Sequence, residues 1–229
     1  MIRRLYFIGA LTVLTLVLAA SCVKNDPVVP VQATVNVNVI NAISDSVIVN
    51  YYLNGTRLSS LTGIFPLASS GNTLLPRGNQ VITIKRLYNN RQIDAPDTLF
   101  TFPVRLDSIG SSQRYSLFLG GVSRNTAFKI IDTLESDPAN AKLKFVVASP
   151  AAPALKVYLN DTLRFTTTTF KSVSKFIPVG NGKKEIKIFT TTGTDPLYKG
   201  TVILNVSNSY TLFSSGSGKG FRAGLLTNR

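Results

Sequence analysis

The chain has 229 residues, 25 Lys and Arg against 11 Asp and Glu, one cysteine, no histidine and no tryptophan. Without histidine, Ser-His-Asp and Cys-His nucleophilic centres and His-based metal sites are excluded. With Cys22 alone there is no intramolecular disulfide, so the fold must be held by its core.

The amino terminus reads as a leader. Arg3 and Arg4 precede an apolar run from Leu5 to Ala20, and Ser21-Cys22 follows. The order basic, apolar, small is that of a secretory signal peptide. The 16-residue run is short against the roughly 20 apolar residues that a spanning helix needs. The string Leu18-Ala-Ala-Ser-Cys22 resembles a bacterial lipoprotein signal. The resemblance implies cleavage after Ser21, a diacylglycerol (palmitate-type) anchor on Cys22, and residence at the outer membrane of the cell envelope. Val23 to Pro30 is a polar, proline-bearing tether. Its Lys24 and Asp26 loosely resemble the surface-export signal of Bacteroidota lipoproteins.

Beyond the tether the pattern changes to short apolar-polar alternation broken by Gly, Asn, Asp and Pro, which predicts an all-β chain. Val35, Val37 and Val39 alternate with Asn36 and Asn38. Tyr52-Leu-Asn-Gly-Thr56 predicts a hairpin, because Asn-Gly supplies the two positive φ angles of a type I′ turn. Further strands are predicted over Gln80–Leu87, Thr98–Val104, Arg114–Leu119 and Phe128–Asp132.

The second half then repeats the first. Val39-Ile-Asn-Ala42 corresponds to Phe145-Val-Val-Ala148, and Tyr52-Leu-Asn-Gly-Thr56 to Tyr158-Leu-Asn-Asp-Thr162. Leu75-Pro-Arg-Gly-Asn79 corresponds to Ile177-Pro-Val-Gly-Asn181, and Ser112–Phe118 to Ser207–Phe213. Matched blocks in one order mean duplicated domains. Each copy has the strand complement of an immunoglobulin-like β-sandwich; a single barrel across both copies is the alternative. The predicted organisation is a signal peptide (1–21), a lipidated tether (22–32) and two sandwiches (33–135 and 140–229). The string Lys142-Leu-Lys-Phe-Val-Val-Ala-Ser-Pro150, with Val157-Tyr-Leu-Asn160, the Pro-x-Gly turn and the Tyr-x-Leu-Phe strand, resembles domain-of-unknown-function family 4397 (DUF 4397). Ile131-Asp-Thr-Leu134 resembles its inter-repeat junction. The resemblance spans about residues 33–227 and implies secreted or lipid-anchored β-domains. It implies no catalytic residue and no ligand.

The charge is uneven. Ten basic residues face eight acidic ones over 22–139, and thirteen face three from residue 140 onward. Strand alternation puts Lys142 and Lys144 opposite the core-facing Leu143 and Phe145, and Lys187 opposite Ile186 and Ile188. With Lys156, Lys183 and Lys184 they form the candidate anion-facing surface, suited to acidic glycans or lipid head groups. Nucleic acid is chemically compatible but poorly placed for an anchored envelope protein. The plainer reading of these lysines is solubility and protection of strand edges.

Paired carboxylates are the remaining catalytic option. Asp94 and Asp97, and Glu135 and Asp137, are neighbours in turns, which seldom span a glycosidase cleft. Gly216-Ser-Gly-Lys-Gly220 lies between β runs and is read as a hairpin loop, not a phosphate loop. No enzyme, cofactor or metal is expected. Five Asp-Ser/Thr-aliphatic strings resemble the O-glycosylation sequon of Bacteroidota, which would modify Ser46, Thr98, Ser108, Thr133 and Thr162. Such strings also mark a turn running into a strand. The Thr166–Thr169 strip, flanked by Phe165 and Phe170, is a further candidate contact surface. The expected function is a non-catalytic binding or adhesion module on the outer membrane, partnered by its membrane and by an anionic glycan or an envelope protein. The alternative is a periplasm-facing assembly component that pairs through sheet edges.

Overall fold

A computed structural model of the protein describes residues 33–44, 47–87, 97–133 and 136–228. Cys22, Ser46, Asp94 and Glu135, named above, lie outside the described residues. Two sandwiches follow one another. The first contains β1 (Thr34–Asn41), β2 (Ile48–Leu53), β3 (Thr56–Arg57), β4 (Thr73–Pro76), β5 (Asn79–Leu87), β6 (Thr98–Arg105), β7 (Gln113–Leu119) and β8 (Ala127–Thr133). The second contains β9 (Ala141–Val146), β10 (Leu155–Leu159), β11 (Thr162–Thr167), β12 (Ile177–Val179), β13 (Gly182–Thr190), β14 (Tyr198–Leu204), β15 (Ser209–Ser215) and β16 (Arg222–Asn228).

Each sandwich has two four-stranded sheets in the same order: β4-β1-β7-β8 over β3-β2-β5-β6, and β12-β9-β15-β16 over β11-β10-β13-β14. The architecture is thus two tandem immunoglobulin-like sandwiches, not one barrel. In each, the first strand pairs parallel with the seventh: Val37 with Tyr115 and Val39 with Leu117, then Leu143 with Tyr210 and Phe145 with Leu212. All eight of these side chains are buried. β-branched and aromatic residues at period two fill one side of a pleated sheet, which is why these strings form strands. Each fully buried residue of this kind contributes about 1.5–3 kcal/mol.

The hairpin turns take the conformation that their residues allow. Asn54 and Gly55 have φ of 48° and 89°, and Asn160 and Asp161 have 47° and 62°. Both pairs carry the two positive φ angles of a type I′ turn. The second turn sets Asp161 at the mouth of the face described below.

A third core joins the two sandwiches. The outer side of β4-β1-β7-β8 packs on the outer side of β12-β9-β15-β16 through Ile40, Phe118 and Phe128 on one side and Val146, Phe213 and Leu226 on the other. Phe118 meets Phe213 edge to face at 5.8 Å and stacks on Phe128 at 5.4 Å. Such ring pairs add about 0.5–1.5 kcal/mol beyond their buried area. At Gly120 the backbone passes so near the Ala148 carbonyl that a Cβ has no room.

This packing corrects one expectation. Lys144 does point away from its own sandwich core, but it is 1% exposed. Its ammonium bonds the Asp132 carboxylate of the first sandwich and lies 4.9 Å from the Phe176 ring centroid. It is a buried, paired charge and not an anion-facing lysine.

Candidate ligand-binding face

The outer side of β11-β10-β13-β14 is assembled by simple alternation. Val157, Leu159, Ile186 and Ile188 are buried, so Lys156, Tyr158, Lys187 and Phe189 project the other way. Antiparallel pairing puts Lys156 opposite Phe189 and Tyr158 opposite Lys187. The diagonal neighbours Tyr158 and Phe189 meet edge to face, with centroids 5.5 Å apart and planes at 81°. Both rings are half-buried. They floor an open cleft of about 270 Å³ lined also by Lys156, Asp161, Lys187 and Gly193.

Charges ring this aromatic floor. Lys187 pairs with Asp161 at 2.6 Å and with Glu185 at 3.1 Å, and Lys199 reaches Glu185 at 3.0 Å. The Lys187 bond and charge hold Asp161 below the usual carboxylate range, and Lys199 followed by Lys187 does the same for Glu185. Lys187 is raised in turn, first by Asp161 and then by Glu185. Lys156 donates to the Thr191 carbonyl at 2.9 Å, and no carboxylate pairs with it among the described residues. The cleft therefore offers two apolar ring surfaces, a carboxylate acceptor and two ammonium donors at one place.

The other expected anion-facing lysines do not join this cluster. Lys183 is exposed on β13 beyond the last residue of β10. Lys184 lies on the same side of β13 as Ile186, half-buried near Gly180. Lys142 lines a separate cleft of about 170 Å³ with Thr133, Asp137 and Phe176. Asp137 there is lowered chiefly by its Asn140 hydrogen bond, with a smaller contribution from the Lys142 charge. Thr98, Ser108, Thr133 and Thr162 are all exposed. Their preceding aspartates are partly engaged elsewhere: Asp132 by Lys144 and Asp161 by Lys187. Phe165 is buried in the second core and Phe170 packs against the inter-sandwich cluster, so the Thr166–Thr169 strip has no aromatic contact surface. No group of three or more His, Cys, Asp or Glu side chains converges on a metal position among the described residues.

Sequence reading missed the Tyr158–Phe189 pair. The signal was present, because the alternation that turns Lys187 outward also turns Phe189 outward. In the sequence Tyr158 marks the repeat and the family resemblance, and neither points to a binding surface.

Tandem sandwiches with this shared strand order define a duplicated β-domain, and the family comparison agrees. The family model "Domain of unknown function (DUF4397)" matches residues 35–158 and 141–229. The chain belongs to this family, in two tandem copies. No curated protein sequence matches it. Among solved structures, it has a loose similarity to a carbohydrate-binding module of family CBM26 from Eubacterium rectale Amy13K, solved with maltoheptaose. The two share 9% identity over 86% of this chain and 98% of that one, with a TM-score of 0.26, too low to support an argument about function.

Proposed function

We propose that the protein is a non-catalytic binding module of the cell envelope, held by a lipid on Cys22, whose second sandwich binds a glycan bearing acidic groups. The observation that carries this reading is the half-exposed Tyr158–Phe189 pair with Lys156 and the Lys187–Asp161 pair around it. A sugar ring presents C–H faces to aromatic rings and hydroxyl edges to charged groups. Aromatic residues supply large contact area with few torsions to freeze. Lys156 is positioned to exchange its bond to the Thr191 carbonyl for a charge-assisted bond to a ligand carboxylate. Lys187 and Asp161 supply a donor and an acceptor for hydroxyl groups.

The test is a glycan array followed by calorimetry with a uronic-acid oligosaccharide and its neutral counterpart. Tyr158→Ala should weaken binding at least tenfold, and Lys156→Ala should remove the preference for the acidic sugar and most of the salt dependence. Binding that survives Tyr158→Ala unchanged contradicts the reading. Protease shaving of intact cells, with Cys22→Ala as control, tests the envelope display: exposed domains are cleaved from outside, and periplasmic ones are protected.

A second reading, assembly through strand addition, draws on the edge strand β14, where Ile203 is 69% exposed. Lys199 on that same strand opposes it, since edge lysines disfavour pairing. Strand addition predicts binding that is insensitive to salt and to Tyr158→Ala.

A further inference from the structure

The surface joining the two sandwiches has an internal symmetry with two breaks in it, one of charge and one of shape. Strand registers define the equivalent positions. Asn38 pairs with Ser116 as Lys144 pairs with Thr211. Tyr115 pairs with Ile131 as Tyr210 pairs with Thr227, which makes Asp132 and Asn228 equivalent. By the same registers Ile40 matches Val146, Phe118 matches Phe213 and Ile130 matches Leu226, and all six belong to one buried cluster. Phe118 and Phe213, which are equivalents, touch each other. Contact between equivalent residues is the mark of an isologous interface. The two sandwiches are thus packed by a pseudo-twofold, like the halves of a symmetric dimer.

The first break is electrostatic. On one side of the pseudo-axis Lys144 bonds Asp132; on the other, the equivalent positions hold Asn38 and Asn228. Arg114 lies across the strand pair from Asp132, on the same face, and is 7% exposed. The interface therefore buries charge on one side and only amides on the other.

We infer that the Lys144–Asp132 pair is a pairing code that commits a first sandwich to a second sandwich and rejects like-with-like pairing between chains. If two first sandwiches met through this face, each Asp132 would lie opposite Asn38. If two second sandwiches met, each Lys144 would lie opposite Asn228. Either dimer buries charges without their cross-interface partners, which costs far more than burying the complementary pair. The apolar part differs at one pair of equivalent positions, where Phe128 stacks on Phe118 and Gly224 leaves room for the Phe213 ring. The charge variants below leave that difference in place, so a change between them reports the charges alone. Discrimination by a penalty on the wrong partner is how closely related surfaces are kept apart. The need is real wherever the first sandwich is complete before the second, or where chains are crowded on a membrane.

The test is refolding of the full chain from denaturant, in mild detergent, at rising protein concentration, with mass read by sedimentation and refolding checked by circular dichroism. The parent chain should refold as a monomer throughout. The amide variant, Asp132→Asn and Lys144→Asn together with Arg114→Ser (the equivalent position holds Ser209), leaves no charge on either side of the pseudo-axis and should form at least tenfold more dimer at the highest concentration. The exchanged variant Asp132→Lys with Lys144→Asp, also carrying Arg114→Ser so that no second cation faces the new lysine, retains complementarity and should remain monomeric. The inference is overturned if the amide variant refolds as a monomer like the parent. It is equally overturned if the exchanged variant dimerises as much as the amide variant.

Discussion

The outer faces of the two sandwiches share a backbone and a register, yet among the described residues only the second is open. Tyr52 on β2 holds the place of Tyr158 on β10, and Lys85 on β5 holds the place of Phe189 on β13. In the first sandwich the Lys85 ammonium lies 4.6 Å from the Tyr52 ring centroid, so the chain's own cation covers the ring. The position of Lys156 is taken by Asn50, 2% exposed. Arg57 and Ser59 cover Asn50 and bond its side-chain oxygen at 3.1 and 2.9 Å. The cause is the strand after the hairpin. β3 spans only Thr56–Arg57 before the chain folds back, with Leu58 and Ser59 bonded to the Tyr51 carbonyl, whereas β11 continues to Thr167. Duplication preserved the scaffold, and a few residues after one turn decide which face is free.

The comparison can be broken most forcefully at the inter-sandwich surface. Asp132→Asn leaves Lys144 and Arg114 buried without a carboxylate and should cost about 3–5 kcal/mol, read as a large fall in the denaturation midpoint. The equivalent change in the second sandwich, Asn228→Ala, removes one hydrogen bond to Thr211, 2.8 Å long; about 1 kcal/mol is expected. Next in size is Gly120→Ala, whose Cβ meets the Ala148 carbonyl. Overpacking there should cost about 1–3 kcal/mol, and the aromatic ring-current shifts of Phe118 and Phe213 should move with it.

A smaller effect sharpens the contrast between the two cores. Tyr210 and Tyr115 are equivalent, but the Tyr210 hydroxyl accepts the Asn205 N–H at 3.0 Å, while the Tyr115 hydroxyl is buried with no partner among the described residues. Burial pushes the Tyr115 hydroxyl's pKa well above its ordinary value. Tyr210→Phe should therefore destabilise by about 1 kcal/mol, and Tyr115→Phe should be neutral or stabilising. Equal losses in thermal melts would contradict the contrast. The smallest effect is in pH. Asp161 and Glu185 have folded pKa values below their unfolded ones. Their contribution is complete above the ordinary carboxylate range and disappears as pH falls through the lowered values. Melting temperature should drop over that acid window, and less so in Asp161→Asn.

Much of the fold was legible because period two is a local property. Val35, Val37 and Val39 announce a strand and its buried side, and Asn54-Gly55 announces the turn. What alternation cannot tell is what covers the other side of a sheet. Alternation turns Lys144 away from its own core, yet it is buried all the same, against Asp132 of the first sandwich and the Phe176 ring, in the surface that joins the two sandwiches. The site was less legible for the opposite reason. Net charge drew attention to six lysines, but charge counts ignore pairing, and Asp161 and Glu185 engage Lys187. Tyr158 and Phe189 become a site only through the register of β10 on β13, a long-range fact that no single string contains.

The most direct measurement is calorimetric titration of the full chain with a uronic-acid oligosaccharide, comparing Tyr158→Ala with Tyr52→Ala. An open second face and a self-covered first face predict one site per chain, lost with Tyr158→Ala and unchanged with Tyr52→Ala. Two sites per chain, or a loss with Tyr52→Ala equal to that with Tyr158→Ala, would contradict it.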